Sequence, residues 1–94
     1  MALNLLKYGR MKLELYHLQQ CPFSAKVRNY IEENNLKQFI EYKDADDQSV
    51  ATELEELTGK FQVPCLVIDG KPMLESDEII AWLGKDLSSV RQAS

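Results

Sequence analysis

The chain has 94 residues, of which 45% are hydrophobic and 28% are charged, and its net charge at pH 7 is −4. This length suffices for one domain with one hydrophobic core and leaves no room for a second domain of ordinary size. No segment is long and apolar enough to span a bilayer, and the acidic balance, with no basic stripe, argues against a nucleic-acid partner.

The first ten residues are followed by a second methionine, Met11, directly before the first predicted strand. We predict an N-terminal extension over residues 1–10 and one domain over residues 11–94, with Met11 as an alternative start of the protein. The extension lacks the basic region and the small-residue cleavage site of a secretory signal peptide. We therefore expect a cytoplasmic protein with no membrane partner, whose cysteines are reduced.

Apolar and polar residues alternate over residues 12–18, and this period of two predicts the first strand. Apolar residues then recur at helical spacing over residues 26–33 and predict the first helix. Pro22 suits the first position of this helix, where a missing N–H costs nothing. Cys21 is therefore predicted to be the N-cap residue.

Unpaired N–H groups and the positive end of the helix dipole favour an anion at a helix N-cap, so Cys21 is predicted to ionise readily to a nucleophilic thiolate. Positive charges on Lys26 and Arg28, in the early turns of the helix, would lower its pKa further. Two alternatives stay open. Cys21 can be a small buried apolar residue, the commoner role of free cysteine, and the two cations can belong to a solvated helix face.

A second strand is predicted over residues 38–43, which are rich in aromatic and β-branched side chains, and a polar loop over residues 44–47 follows it. A second helix comes next, with Asp47 or Ser49 as its N-cap and Gly59 as its C-terminal residue. The apolar side chains that this helix would bury are Val50, Leu54 and Leu57.

A β-hairpin is predicted near the end of the domain. Residues 65–68 form a continuous apolar run, Asp69-Gly70 is a strong turn signal, and residues 71–75 form the returning strand. Pro72 lacks an N–H for the ladder, so the returning strand is expected at an edge of the sheet.

A third helix is predicted from Ser76, which we expect to cap it, to Gly84, which we expect to end it. Its inward-facing residues are Ile79, Ile80 and Leu83. The complete order is strand, helix, strand, helix, strand, strand, helix. This order predicts an α/β domain with a mixed sheet and helices on its faces.

Three short motifs lie at the ends of these elements: Cys21-Pro22-Phe23-Ser24, Val63-Pro64 and Glu75-Ser76-Asp77. In this order and spacing they resemble the motifs of a glutaredoxin-like protein of the thioredoxin superfamily, over residues 12–83. The pair Glu75-Ser76 is also similar to a motif of the glutathione transferase N-terminal domain. The resemblance implies a thioredoxin-like, glutaredoxin-type fold, with a four-stranded mixed sheet and helices on both faces.

The same resemblance implies a glutathione-dependent thiol-disulfide oxidoreductase with Cys21 as its catalytic nucleophile. Ser24 occupies the place of the resolving cysteine of dithiol relatives, which implies a monothiol mechanism with glutathione as co-substrate. The other partners would be glutathionylated proteins or small disulfides. Ser24 is also an ordinary first-turn helix residue, and both interpretations can hold together. Phe23 either shields the sulfur or presents an apolar surface to substrates, or it belongs to the core.

The resemblance further implies a glutathione site drawn from all three motifs and the loop before the second. Its residues are Pro22, Phe23, Lys60, Val63, Pro64, Glu75, Ser76 and Asp77. Val63 would pair with the glutathione backbone beside a cis peptide bond to Pro64. Lys60 would replace the lysine that many glutaredoxins carry at the position of Leu18. Two alternatives stay open: Pro64 simply begins a strand, and Ser76 is only a helix cap.

The alternative function is a non-catalytic module that binds glutathione or, as a dimer, an iron–sulfur cluster held by Cys21 and glutathione. Cluster-binding relatives usually have glycine after the cysteine, where this chain has Pro22. No protein metal site is predicted, because Cys21 and Cys65 lie far apart in the sequence and His17 is the only histidine. Cys65, His17 and Tyr16 are interpreted as structural residues.

Overall fold

The computed structural model describes residues 12–87, and the side chains of residues 12–85. Within this range the strands and helices follow one another in the predicted order. They are β1 (Leu13–His17), α1 (Pro22–Glu33), β2 (Glu41–Asp44), α2 (Gln48–Thr58), β3 (Cys65–Ile68), β4 (Lys71–Met73) and α3 (Ser76–Trp82). None of the helices in this part of the chain is both long and apolar enough to cross a membrane. The predicted extension, residues 1–10, lies outside the described residues and stays a prediction.

The strands form one mixed sheet in the order β2-β1-β3-β4. β1 pairs in parallel with β2, so that His17 lies opposite Asp44. β1 pairs antiparallel with β3, so that Tyr16 lies opposite Cys65. All five residues of β1 are buried. The predicted mixed, four-stranded sheet is confirmed, and β1 lies in its interior.

The helices cover both faces of the sheet, as predicted. α1 and α3 lie on one face, over the larger core. Its buried residues are Leu13, Leu15, Val27, Ile31, Leu36, Ile40, Leu66, Ile79 and Leu83. α2 lies on the other face, where Leu54 packs with Tyr16, Cys65 and Val67. Because each fully buried aliphatic side chain contributes about 1.5–3 kcal/mol, the larger core is the main source of stability.

The second strand begins three residues later than predicted. Lys37–Phe39 forms a 3-10 turn, and the N–H of Ile40 donates to the carbonyl of Lys37 at 3.1 Å. β2 then starts at Glu41 and includes Asp44, which the sequence assigns to the loop. Ile40 is buried in the core all the same. Its hydrophobicity therefore indicates burial, which a tight turn satisfies as well as a strand does.

α2 begins and ends at predicted residues. Asp47 is its N-cap, and the Ser49 N–H donates to Asp47 Oδ1 at 2.9 Å. Gly59 ends the helix with a φ of +83°, a conformation that favours a residue without a Cβ. Leu54 is fully buried, whereas Leu57 is 39% exposed. The prediction that Leu57 faces the core is wrong, because the small core on this face does not extend to it.

β3 and β4 form the predicted hairpin. Asp69 and Gly70 both have positive φ, +50° and +86°, as in the type I′ turn that matches the twist of hairpin strands. β4 is an edge strand, as Pro72 indicates. It ends at Met73, two residues earlier than predicted, since Glu75 already caps the next helix.

Both ends of the third helix differ from the prediction. Its N-cap is Glu75, with an extended backbone, and Ser76 is the first helical residue. Gly84 does not end the helix, because a π-helical turn, Leu83–Leu87, continues it. A Cβ on Gly84 would lie 2.6 Å from Oη of Tyr30. The glycine therefore allows close approach to α1 and is not a stop signal.

Candidate functional site

Cys21 lies at the start of α1, just beyond the carboxyl end of β1. It is the N-cap residue, with φ −83° and ψ 121°, and Pro22 begins the helix. Its carbonyl accepts the first helical hydrogen bond, from the N–H of Ala25 at 2.9 Å. The first turn contains no acidic residue to oppose a negative charge on the sulfur. The predicted N-cap position of Cys21 is confirmed.

The surroundings of Cys21 lower the pKa of its thiol below the ordinary value. Partial burial by itself raises the pKa. This effect is outweighed by hydrogen bonds to the thiolate from the N–H and hydroxyl of Ser24 and the N–H of Phe23, together with the positive charge of Arg28. The neutral thiol makes no capping hydrogen bond. These groups therefore favour the ionised, nucleophilic form.

Ser24 contributes more than its place in the motif suggests. It is polar but fully buried, and its Oγ accepts a hydrogen bond from the N–H of Leu18 at 3.3 Å. The hydroxyl proton is then free to be donated to the Cys21 thiolate. A sequence signal for this burial exists, because Ser24 lies three and seven residues before Val27 and Ile31, on the apolar face of the helix.

Arg28 is a second site residue that the sequence names only as a nearby cation. Its side chain reaches back from α1 to the loop before Cys21. It donates to the carbonyls of Leu18 (Nη1, 3.0 Å) and Gln19 (Nη2, 3.1 Å). Nη1 also lies 2.9 Å from Nδ1 of His17, which must be the acceptor because a guanidinium only donates. The prediction that His17 is a satisfied structural residue is confirmed.

The Val63-Pro64 peptide bond is cis, as the resemblance implies. Tyr16 lies opposite Cys65 in the antiparallel pair of β1 and β3, so Val63 and Pro64 lie beside the chain that leaves β1. Pro64 is buried and Val63 is half-buried. The second motif therefore lies at the same end of the sheet as Cys21. Pro64 is not the first residue of a strand, since β3 begins at Cys65.

The third motif reaches this region through the packing of α3 against α1. Lys26 Nζ forms a salt bridge of 2.6 Å with Oδ1 of Asp77, in the first turn of α3. The Asp77 side chain is 84% exposed, so water screens the pair. Glu75 is exposed and Ser76 is half-buried. These residues lie near the N-terminal half of α1, and their assignment to glutathione stays a prediction.

Phe23 and Lys60 are both exposed. The side chain of Phe23 is 61% exposed, so its interpretation as a core residue is wrong, and an aromatic surface lies beside Cys21. Lys60 follows Gly59, and its N–H donates to Thr58 Oγ1 at 3.3 Å. Its predicted role as a cation for the ligand stays a prediction.

A cavity of about 370 Å³ adjoins Cys21. Its lining residues are Leu18, Gln19, Gln20, Cys21, Asp44 and Asp46. The cavity lies on the β2 side of the Cys21 loop, whereas Val63 and Pro64 lie on the β3 side. Its volume is near the lower end of those of small-molecule sites. The sequence order does contain a signal for Asp44 and Asp46, because the carboxyl ends of parallel strands such as β1 and β2 meet at one edge.

Cys65 is fully buried on the α2 face, and this burial raises the pKa of its thiol to about 11. A buried thiol of this kind is a poor nucleophile, which confirms the predicted structural role. Tyr16 is buried as well, and its hydroxyl donates to Glu53 Oε1 at 2.6 Å. Among residues 12–87, no three His, Cys, Asp or Glu side chains are grouped so that they could hold a metal ion.

Glutaredoxins of known structure share this fold. Wheat glutaredoxin superposes with a TM-score of 0.64 at 19% identity, over 99% of this chain and 91% of that chain. Oxidized glutaredoxin 2 from Chlamydomonas reinhardtii gives 0.62 at 19%, over 98% and 94%. The holo form of glutaredoxin C1 from Populus tremula x tremuloides gives 0.63 at 16%, over 98% and 99%. The fold is therefore thioredoxin-like and of the glutaredoxin type, as the resemblance implies.

The sequence itself matches one family model. No curated protein sequence matches the chain significantly. The model of the glutathione S-transferase N-terminal domain matches residues 15–88, a span that includes all three motifs and most of the chain. The chain therefore belongs to the glutathione S-transferase N-terminal domain family.

Proposed function

We propose that this protein is a glutathione-dependent thiol-disulfide oxidoreductase that acts by a monothiol mechanism. The observation that carries the proposal is the position of Cys21 at the N-cap of α1, where Ser24, Phe23 and Arg28 together lower the pKa of its thiol. A thiol with a lowered pKa forms the nucleophilic thiolate more readily than an ordinary cysteine and can attack a disulfide. Membership of a glutathione S-transferase domain family supports glutathione as the co-substrate.

The proposed reaction has two balanced steps. The Cys21 thiolate attacks the glutathione sulfur of a mixed disulfide, the sulfur–sulfur bond breaks, and the substrate leaves as a thiolate that takes a proton from water. A second glutathione, as thiolate, then attacks the glutathione sulfur bound to Cys21. Glutathione disulfide leaves, and the Cys21 thiolate is restored. Two electrons pass from glutathione to the substrate.

Two features support a single reacting thiol. Ser24 occupies the position from which a second cysteine of the motif would act, and it cannot form a disulfide. Cys65 is buried on the α2 face of the sheet, with its pKa raised to about 11. Resolution of the Cys21 mixed disulfide is therefore assigned to glutathione from solution. A reducing compartment such as the cytoplasm, rich in glutathione, suits this cycle.

The glutathione part of the substrate is placed on the β3 side of Cys21. Val63 would pair with its backbone, Ser76 and Asp77 would bind the γ-glutamyl end, and Lys60 would approach its glycine carboxylate. Pro22, Phe23, Pro64 and Glu75 would line the same side. The cavity on the β2 side of Cys21 is the proposed space for the group that leaves, from a glutathionylated protein or a small disulfide.

The test is turnover of a glutathione mixed disulfide with glutathione as the reductant. We expect Cys21→Ser to abolish turnover and Cys65→Ser, the matched control, to retain it. Ser24→Cys should retain turnover while gaining an intramolecular disulfide after oxidation. Turnover that survives Cys21→Ser would reject the proposal. Glutathione binding by calorimetry without Cys21-dependent turnover would instead favour a non-catalytic binding module.

A further inference from the structure

The loop that leads from β1 to Cys21 is held by side chains of the helix that follows it. Leu18 is bound at both its backbone groups: its N–H donates to Ser24 Oγ, and its carbonyl accepts from Arg28 Nη1 at 3.0 Å. The same carbonyl accepts the N–H of Cys21 at 3.3 Å. Arg28 Nη2 binds the next carbonyl, that of Gln19, at 3.1 Å. One guanidinium therefore fixes two successive peptide units beside the thiol.

The orientation of this guanidinium is itself fixed. Nη1 also donates to Nδ1 of His17, a residue of β1 that is only 3% exposed. The His17 ring lies edge-on to Tyr42, with centroids 5.2 Å apart. Arg28 thus bridges α1, the buried end of β1 and the loop. A lysine could place a positive charge nearby, but its single ammonium could not form the same planar fork to two carbonyls.

The two cations of α1, Lys26 and Arg28, differ in their partners. Lys26 is bound to Asp77 and is therefore partly neutralised. Within residues 12–85, the hydrogen bonds of Arg28 join it to neutral groups, the two carbonyls and the imidazole. Its positive charge is among the causes that lower the pKa of the Cys21 thiol.

We propose that Arg28 is the positioning residue of this site, which fixes the Leu18–Gln19 peptides before Cys21 and contributes a positive charge beside them. The inference rests on the proposed function, in which the Cys21 thiolate is the nucleophile. Arg28 itself does not touch the reacting sulfur atoms. It acts through the loop it binds and through its charge.

The first test is the rate of Cys21 alkylation by iodoacetamide as a function of pH, measured by peptide mass spectrometry in wild type, Arg28→Gln, Arg28→Lys and Lys26→Gln. We expect Arg28→Gln to slow alkylation at pH 7 about three- to tenfold, because the thiolate fraction falls. Arg28→Lys should recover most of this rate. Lys26→Gln, which removes a cation of the same helix, should change it less than twofold. Equal effects of Arg28→Gln and Lys26→Gln would overturn the proposal.

The fixing of the Leu18–Gln19 peptides by Arg28 is tested separately, by turnover. Arg28→Lys keeps the charge but loses the fork, so turnover of a glutathione mixed disulfide should fall although alkylation stays near wild type. Wild-type turnover in Arg28→Lys would overturn this part. Alkylation of Cys65 reports unfolding, because this buried thiol is reached only if the core opens. If Arg28→Gln unfolds the protein, the comparison of Arg28→Lys with wild type tests the proposal. Alkylation needs no glutathione, so it tests the role of Arg28 independently of the proposed function. If Arg28→Gln slows alkylation of Cys21 but turnover survives Cys21→Ser, the proposed function fails while the effect of Arg28 on the thiol stands.

Discussion

Ser24 has two roles at the site: it binds the loop before Cys21 and it stabilises the Cys21 thiolate. Its Oγ satisfies the N–H of Leu18, and its hydroxyl and N–H stabilise the Cys21 thiolate. A cysteine at this position would supply a second thiol. Serine supplies hydrogen bonds and no sulfur, so it favours ionisation of Cys21 without offering an internal disulfide.

Ser24→Ala is expected to raise the pKa of Cys21, since it removes the hydroxyl from the thiolate. It should also destabilise the fold by about 1 kcal/mol, because the half-buried N–H of Leu18 loses its partner. The alkylation profile of Cys21 measures the first effect, and urea unfolding measures the second. Ser24→Thr, which keeps the hydroxyl, is the control. An unchanged alkylation profile in Ser24→Ala would contradict the role assigned to the hydroxyl.

His17 gives the fold a pH dependence with a definite sign. Burial lowers its pKa below 6.5, and the charge of Arg28 lowers it further, against the opposing effect of Asp44. The unfolded chain therefore binds the proton more readily between the two pKa values. The stability due to neutral His17 is complete above about pH 6.5 and is lost as the pH falls towards the lower, folded value.

We expect wild type to lose more unfolding free energy between pH 7.5 and pH 5 than His17→Gln does. Glutamine cannot titrate, and its Oε1 can still accept the hydrogen bond from Arg28. Urea unfolding at the two pH values gives the comparison. Equal losses in the two proteins would show that His17 does not titrate with folding.

The sequence predicts the position of Cys21 at the helix N-cap but not the role of Arg28. Helical spacing places residue 28 two turns after residue 21, on a similar side of α1. It does not indicate where a long, flexible side chain points. The partners of Arg28 are backbone carbonyls of the preceding loop and the ring of His17, and no pattern of residue types identifies them.

Among the helices and strands, α2 ends where the chain turns towards the cis Val63-Pro64 bond. Gly59 ends the helix at φ +83°, and its N–H donates to the carbonyl of Glu55 at 2.8 Å. The hydroxyl of Thr58 then binds the carbonyl of Lys60 at 2.7 Å. The direction of the loop to the second motif is therefore set at this helix end.

Gly59→Ala should destabilise the protein by about 1 kcal/mol, because a Cβ is disfavoured in the left-handed conformation. Gly59→Asn should cost less, since asparagine tolerates this conformation better. Thermal unfolding ranks the two variants. If alanine is tolerated as well as asparagine, the turn does not depend on the left-handed conformation.

The sequence predicts an element well where a residue with a specific backbone preference marks its end. It predicts an element less well where only apolar side chains mark it. Pro22, Asp47 and the Asp69-Gly70 turn mark their positions because their backbone preferences are specific. Residues 39 and 40 are apolar in a strand and in a buried 3-10 turn alike, so the start of β2 could not be predicted. The close approach of Tyr30 to Gly84 is a tertiary contact that no local pattern contains.

In the molecule as a whole, the proposed glutathione site lies where three separated segments meet. The end of β1 supplies the loop and Cys21, the segment before β3 supplies Val63 and Pro64, and α3 supplies Asp77 through its salt bridge with Lys26. The sequence identifies these segments as motifs. Only the folded chain shows that a cavity lies on the opposite, β2 side of Cys21.

Asp77→Asn is expected to raise KM for glutathione about fivefold, as loss of one solvent-exposed charged contact implies, with little change in kcat. Stability should change by less than about 1 kcal/mol, because the pair with Lys26 is exposed. Lys26→Gln breaks the same salt bridge without removing the carboxylate, so its KM should not rise. A similar rise in both variants would assign the effect to the salt bridge and not to glutathione.

In the proposed cycle, Cys21 alone accepts glutathione from a mixed disulfide. The reduced protein is mixed with a stoichiometric amount of a glutathione mixed disulfide, quenched with acid and mapped by peptide mass spectrometry. We predict a glutathione adduct on Cys21 and none on Cys65. The Cys21 adduct should disappear when glutathione is added. Absence of this adduct, or transfer of the non-glutathione half of the substrate to Cys21, would contradict the mechanism.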